Sequence, residues 1–302
     1  MRTEMRLSFA LLAAALLSGC ALLGEKPAPP PAPVPVKIGL ALGGGAARGF
    51  AHVGVIKALE AQGIVPDVIV GTSAGAVVGA LYAGGLNGFE LQKLAMEMDE
   101  GQVGDWSLPD RGVFKGEALQ KFVNRAVGNR TLEKLPRSFG VVATDLRSGD
   151  LTLFRSGDTG MAVRASATVP GVFQPVPISG REYIDGGLVS PVPVRSVRKL
   201  GANFVIAVDI SAKPRDAKTA STLDVLLQTF AIMGQSISRH ETVDADVVIR
   251  PLTAELPATD FAARHKAVLE GEKAAAAVMA ELKDKLAKLR QPPAPTGTSG
   301  GK

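Results

Sequence analysis

With 302 residues, 46% hydrophobic and 21% charged, the chain can bury a large core and form one or at most two domains. A net charge of +5 is compatible with anionic lipid but too small to imply nucleic acid, and no basic-aromatic interleaving points there either. The single cysteine, Cys20, excludes a disulfide framework, a cysteine zinc cluster and a thiol nucleophile in the body.

Residues 1–19 read as a cleaved signal peptide. Arg2 and Arg6 make a positive start, and Leu7–Leu17 is an apolar run too short for a stable bilayer span. Leu17-Ser18-Gly19-Cys20 then resembles the lipobox of bacterial lipoproteins, which implies that Cys20 is lipidated and becomes the mature N-terminus. Ala21, a residue other than Asp, favours outer-membrane sorting by the rule that this resemblance carries. Removal of Arg2, Arg6 and Glu4 lowers the charge by one, to +4. Residues 20–36 form the lipidated cysteine and a stalk. Pro27, Pro29, Pro30, Pro31, Pro33 and Pro35 favour polyproline II, which at about 3.1 Å per residue holds the body roughly 30–40 Å from the lipid.

The folded body is expected over residues 37–290, with a disordered Pro/Gly/Ser/Thr-rich tail at 291–302. Lys37–Leu42 reads as a buried strand, followed by Gly43-Gly44-Gly45-Ala46-Ala47-Arg48-Gly49 and a helix carrying Phe50, Val53, Ile56 and Leu59. A second strand–turn–helix unit follows at once. Val68, Ile69 and Val70 run into Gly71-Thr72-Ser73-Ala74-Gly75 and then an Ala/Gly/Leu helix. This order predicts an α/β fold with a mainly parallel sheet and ligands at the carboxyl ends of its strands. Further strands are expected at Phe139–Thr144, Leu151–Phe154, Phe204–Ile210 and Val247–Arg250, and helices at Glu90–Met98, Gly116–Val127, Pro191–Leu200, Leu223–Arg239 and Phe261–Leu289. Asp99–Lys115, irregular and holding the only tryptophan, Trp106, is read as a cover over the site or a long surface connection.

Three stretches carry chemistry. In G-x-S-x-G, Gly71 and Gly75 remove Cβ atoms where a strand turns sharply into a helix, leaving Ser73 at the tip beside free N–H groups. A small-residue turn without chemistry is the plainer alternative. The loop Gly43–Gly49 lacks the last glycine of a dinucleotide fingerprint, where Arg48 stands, and no Gly-Lys-Ser/Thr follows to make a P-loop. With Ser73 in company, an oxyanion hole of glycine N–H groups, with Arg48 adding charge, is the favoured reading. For the base, His240 or His265 could complete Ser…Asp…His in the α/β-hydrolase order, His52 reads as a residue facing its helix neighbours, and Asp185 is the stronger candidate. In Tyr183-Ile184-Asp185-Gly186-Gly187 it follows a short apolar run and precedes two glycines, which places its carboxylate on an exposed turn at a strand end, although D-G-G is also an ordinary tight turn. An Asp near pKa 3.9 is a weak base unless burial or an oriented hydrogen bond assists it.

Together, GGGAARG, GTSAG and DGG, in that order, resemble the patatin-like phospholipase family, as do Ala165-Ser166-Ala167, Pro170-Gly171-Val172-Phe173 and Pro191-Val192-Pro193. The resemblance spans about residues 37–250. It implies a three-layer α/β/α sandwich, a catalytic dyad of Ser73 and Asp185 without histidine, and an oxyanion hole from Gly44, Gly45 and neighbouring amides, among Gly43, Ala46 and Arg48. Gly49, Gly71, Gly75, Gly186 and Gly187 are its motif glycines. It implies no metal and no cofactor, and as substrate a phospholipid, lysophospholipid or related acyl ester. Ala46 stands where plant members have a third glycine, and a left-handed backbone there would cost on the order of 1 kcal/mol. A scaffolding or nucleotide-binding lipoprotein of the same fold is the alternative from another class of function, against which the intact trio of motifs argues.

Overall fold

The computed structural model describes residues 35–98, 114–211, 214, 219–253 and 262–290. The signal peptide, Cys20, the stalk before Pro35, the tail, Phe261, and Asp99–Lys115 up to residue 113 lie outside the described residues.

In chain order the elements are β1 (Ile38–Leu42), α1 (Phe50–Glu60), β2 (Val68–Thr72), α2 (Ala74–Ala83), α3 (Gly88–Glu97) and α4 (Glu117–Ala126). There follow β3 (Ser138–Asp145), β4 (Leu151–Phe154), α5 (Thr159–Ser166), β5 (Val176–Ile178), β6 (Arg181–Asp185) and α6 (Val194–Lys199). The last are β7 (Phe204–Val208), α7 (Thr222–Glu241), β8 (Val247–Ile249) and α8 (Arg264–Arg290). The helices and strands expected from sequence are present with boundaries shifted by a few residues. Helix α5 and strand β5 had no expected counterpart. Helix α5 has only eight residues and starts on an Asp158 side chain that accepts the Met161 N–H; β5 has three. Neither is long enough to display a period.

The sheet is mixed. Strand β1 is parallel to β2 and β7, β2 to β3 and β7 to β8, while β4 and β6 run antiparallel to β3 and β5 antiparallel to β6. Parallel strands covered on both faces must be apolar throughout, and β1, β2 and β7 are buried at every position. Alternate residues supply two cores. Leu40, Leu42, Ile69, Val141 and Ile206 pack with α1, α2, α3, α4 and α8. Ala41, Val70, Val142, Val205 and Ala207 pack with Val194 and Val197 of α6 on the other face. The result is a three-layer α/β/α sandwich.

Helix α8, which lies beyond the motifs, is held closely against α1. A Cβ at Gly54 would stand 1.9 Å from the Val268 carbonyl oxygen, and one at Gly271 would stand 2.0 Å from that of Ala51. Two glycines therefore permit the approach that buries Val268, Ala275, Leu282 and Leu286. The opposite side of α8 is solvated, with Lys285 paired to Glu281 and Lys288 to Asp284. At the amino ends of the parallel strands, Asn203 receives the Lys37 N–H on its Oδ1 and donates through Nδ2 to the Pro35 carbonyl.

Candidate active site

The carboxyl end of β2 turns into α2 through Ser73, whose backbone has φ 53° and ψ −122°. That is a left-handed conformation for a residue with a Cβ, a strain of order 1–3 kcal/mol that the surroundings must enforce. They do so by crowding: a Cβ at Gly75 would lie 2.1 Å from the Leu42 carbonyl oxygen, so only glycine lets α2 start this close to β1. Ser73 is the residue before the first turn of α2, yet its side chain does not cap the helix. Its Oγ instead donates to Asp185 Oδ2 at 2.7 Å.

Register explains how residues so far apart in sequence meet. Val142 of β3 pairs with both Thr72 of β2 and Leu153 of β4; its neighbour Ala143 pairs with both Asp185 of β6 and Thr152 of β4. Since β4 occupies one edge of β3 at both positions, β2 and β6 must share the other. They approach along it from opposite directions and stop at adjacent residues. Where the β2–β3 ladder would continue, the Ser166 hydroxyl intervenes: it accepts the Ser73 N–H at 2.8 Å and donates to the Val142 carbonyl. Ser166, on α5, belongs to the site's frame, and no sequence spacing announced that role.

Asp185 stands at a strand end as expected, but it is buried rather than on an exposed turn, because α5 and β3 pack around it, and it is fixed on all sides. Its N–H donates to the Thr168 carbonyl, its own carbonyl accepts from Thr144 Oγ1, and Oδ1 accepts the Gly187 N–H at 2.7 Å. Burial raises its pKa to about 6, against the opposing pull of the Gly187 and Ser73 hydrogen bonds. Such a carboxylate is a better proton acceptor at neutral pH than a solvated one. The histidines are elsewhere. His240 and His265 are exposed on α7 and α8. His52 is wholly buried in α1, its Nε2 on the Gly43 carbonyl at 2.7 Å, and burial lowers its pKa to about 4.

The glycine loop can be followed peptide by peptide. The Gly43 N–H donates to the Val208 carbonyl at 3.0 Å. The next peptide is held at both ends, its Gly43 oxygen by His52 and its Gly44 N–H by the Pro191 carbonyl at 2.9 Å. The Gly45 carbonyl accepts twice from Arg48, from the main-chain N–H at 3.2 Å and from Nε at 3.1 Å. A trans peptide points its N–H opposite to its carbonyl, so this double hold also orients the Ala46 N–H. Of the expected oxyanion donors, the amides of Gly43, Gly44 and Arg48 are therefore already engaged. Those of Gly45 and Ala46 have no partner among the described residues. Ala46 does adopt the left-handed conformation, φ 50°. Burial lowers the pKa of Arg48 while Asp209 pulls it up. Among the described residues, no three His, Cys, Asp or Glu side chains converge as metal ligands would, and no helix is long and apolar enough to cross a membrane.

A strained serine hydrogen-bonded to a buried aspartate, beside a glycine loop, coincides with the region matched by a family model. The model for patatin-like phospholipases matches residues 40–198, just over half the chain and spanning β1 to α6. The chain belongs to the patatin-like phospholipase family. An uncharacterized NTE family protein of Mycobacterium tuberculosis is 36% identical over 192 residues, 62% of this chain and 53% of that protein. The human patatin-like phospholipase domain-containing protein 6 is 33% identical over 180 residues, 57% of this chain and 13% of its own length. The chain thus spans about half or less of the curated relatives it matches. In fold it is similar to VipD from Legionella pneumophila, at a TM-score of 0.56 and 15% identity over 82% of this chain and 68% of that one. In this patatin-like domain β7, α7, β8 and α8 follow the matched region.

Proposed function

We propose that this patatin-like protein is a serine acyl hydrolase acting on fatty-acyl esters of phospholipids or lysophospholipids. The observation that carries the reading is the 2.7 Å hydrogen bond from Ser73 Oγ to Asp185 Oδ2 at a strained strand–helix turn. In the first half-reaction Ser73 Oγ attacks the ester carbonyl while its proton passes to Asp185. The N–H groups of Gly45 and Ala46 bind the oxyanion, that of Ala46 held at its angle by Arg48 through the Gly45 carbonyl. Collapse breaks the C–O bond to the alcohol, which takes the proton from Asp185. In the second half, water attacks the acyl-serine, gives its proton to Asp185 in turn, and the fatty acid leaves with Ser73 restored.

The strain at Ser73 supports this reading, because a turn without chemistry would have no use for a left-handed serine whose hydroxyl faces a carboxylate. In the cell the protein would be tethered by lipid on Cys20 to the envelope of a bacterium, with the outer membrane the favoured site, and lipid is its partner rather than nucleic acid. The test is labelling of full-length protein with a fluorophosphonate, with products measured from a panel of defined lipids. Label should map to Ser73, and Ser73→Ala should lose label and fatty-acid release together. Fatty-acid release that survives Ser73→Ala would overturn the reading.

A further inference from the structure

The hydrolase reading gives no role to Glu241, a buried carboxyl at the last turn of α7. Its two oxygens hold two points of one short segment: Oε1 lies on the Ser190 hydroxyl, and Oε2 accepts the Val192 N–H at 3.0 Å. Between those points stands Pro191, whose carbonyl receives the Gly44 N–H. The same segment also touches the other two parts of the site. The Ser190 carbonyl accepts from the hydroxyl of Thr72, the residue before Ser73, at 2.9 Å, and the Ser190 N–H donates to the carbonyl of Gly186, the residue after Asp185. Proline has no N–H of its own, so the segment cannot be fixed from within at that point. The grip on either side replaces it.

We propose that Glu241 is a positioning residue: by holding Ser190 and Val192 it sets the Pro191 carbonyl and, through Gly44, the angle of the oxyanion loop against Ser73. Gly44 lies close against the nucleophile, since a Cβ there would lie 3.2 Å from that of Ser73. A buried carboxyl with hydroxyl and amide partners is a poor stabiliser in its own right. Burial indeed pushes Glu241 up to about 7; its bonds with Ser190 and Val192 and the charge of Arg195 oppose that, and Asp209 adds to it. Its presence at this junction is accounted for by geometry rather than by stability.

The inference rests on the hydrolase reading and is tested with Glu241→Ala and Glu241→Gln in the full chain. Gln keeps both contacts, accepting from Val192 through its oxygen and donating to Ser190 through its amide. Glu241→Ala should lower kcat and the rate of fluorophosphonate labelling about tenfold to a hundredfold, the scale of a misplaced oxyanion donor, with KM changed by less than about twofold. Glu241→Gln should recover most of that loss. Folded Glu241→Ala labelling at the wild-type rate, or equal impairment in both variants, overturns the proposal. If Glu241→Ala does not fold, Ser190→Ala removes one arm of the grip. It should show a smaller kcat loss at unchanged KM, and wild-type kcat there overturns the proposal as well. Hydrolysis persisting in Ser73→Ala would instead count against the hydrolase reading itself.

Discussion

Thr72 and Asp185 are consecutive occupants of one edge of β3, paired with Val142 and Ala143 respectively. Strand β2 arrives parallel to β3 and β6 arrives antiparallel, so the two carboxyl ends face each other and neither can extend. The chain after β2 must leave the sheet, and it leaves through the strained backbone of Ser73. The chain after β6 must also turn, and the Gly187 N–H folds back onto the Asp185 carboxylate. Nucleophile and acceptor are thus brought together by the register of a third strand, and their separation should be insensitive to changes on the sandwich surface.

That placement makes Asp185 costly to the fold. Its pKa is raised on folding to about 6 from an ordinary 3.8. A group raised in the folded state favours folding most when protonated, below its unfolded pKa, and that contribution disappears as pH rises through about 6. The difference corresponds to about 3 kcal/mol. Asp185→Asn should therefore be inactive, losing about 10³-fold or more in kcat. It should also be more stable than wild type at pH 8, with the advantage shrinking toward pH 4. Denaturant midpoints at the two pH values check the sign; a variant less stable at pH 8 would contradict the burial argument.

The same group should govern the rate. With Asp185 as proton acceptor, kcat/KM should rise with pH through about 6 and level off above it. No histidine should add an essential ionisation. His240→Ala and His265→Ala should keep wild-type activity within a factor of a few. His52→Ala should lose about 2–4 kcal/mol of stability, as a buried hydrogen-bonded ring does, while its folded fraction keeps at least about a tenth of kcat. A loss of about 10³-fold in any folded histidine variant would favour a triad.

Glycines on either side of a threshold offer a paired test. Gly75→Ala drives a methyl into the Leu42 carbonyl and should cost about 3 kcal/mol or more. Gly234→Ala, in the middle of α7 with nothing within 4 Å of its Cβ, should instead gain about 0.5–1 kcal/mol. Thermal unfolding of the two proteins should move in opposite directions.

Arg48→Ala should lower kcat on phospholipids and on simple esters alike, because the guanidinium acts through the Gly45 carbonyl on the angle of the Ala46 N–H. A rise in KM confined to phospholipids would show that Arg48 holds a lipid phosphate instead.

Lipidation of Cys20 predicts that labelled palmitate enters wild-type protein but not Cys20→Ser. Two or more acyl chains, at about 0.8 kcal/mol per buried methylene, should keep the wild type in the membrane fraction at high salt, which would screen attachment through a +4 charge. A mature protein beginning beyond Cys20 would end the lipoprotein reading and leave the hydrolase argument intact.

Much of the site could be read from the chain because its constraints are local. A strand, a turn that excludes Cβ atoms and a helix are all written within Val68–Ala83, and likewise within Ile38–Glu60. What could not be read is long-range. Nothing near Asp185 states that β6 will share an edge with β2. Nothing in Ala165-Ser166-Ala167 states that this hydroxyl will bridge Ser73 and Val142. The glycine run looked like a row of equivalent donors, and the fold distinguishes them: Val208 and Pro191 take the amides of Gly43 and Gly44, leaving those of Gly45 and Ala46. Glu241, near the end of a helix whose exposed side displays Val225, Ile232 and Met233, carried no periodic signal of its burial.

The Pro35–Asn203 contact has a practical corollary. Pro35 enters at the amino ends of the parallel strands, and Ser73 stands at the carboxyl end of β2, five residues of strand away, or about 17 Å. Protein coupled to a bead or sensor chip through residues upstream of Pro35 would be attached at the end opposite the serine. The end of the sheet that carries Ser73 would then be left uncoupled, available to vesicles flowed across it.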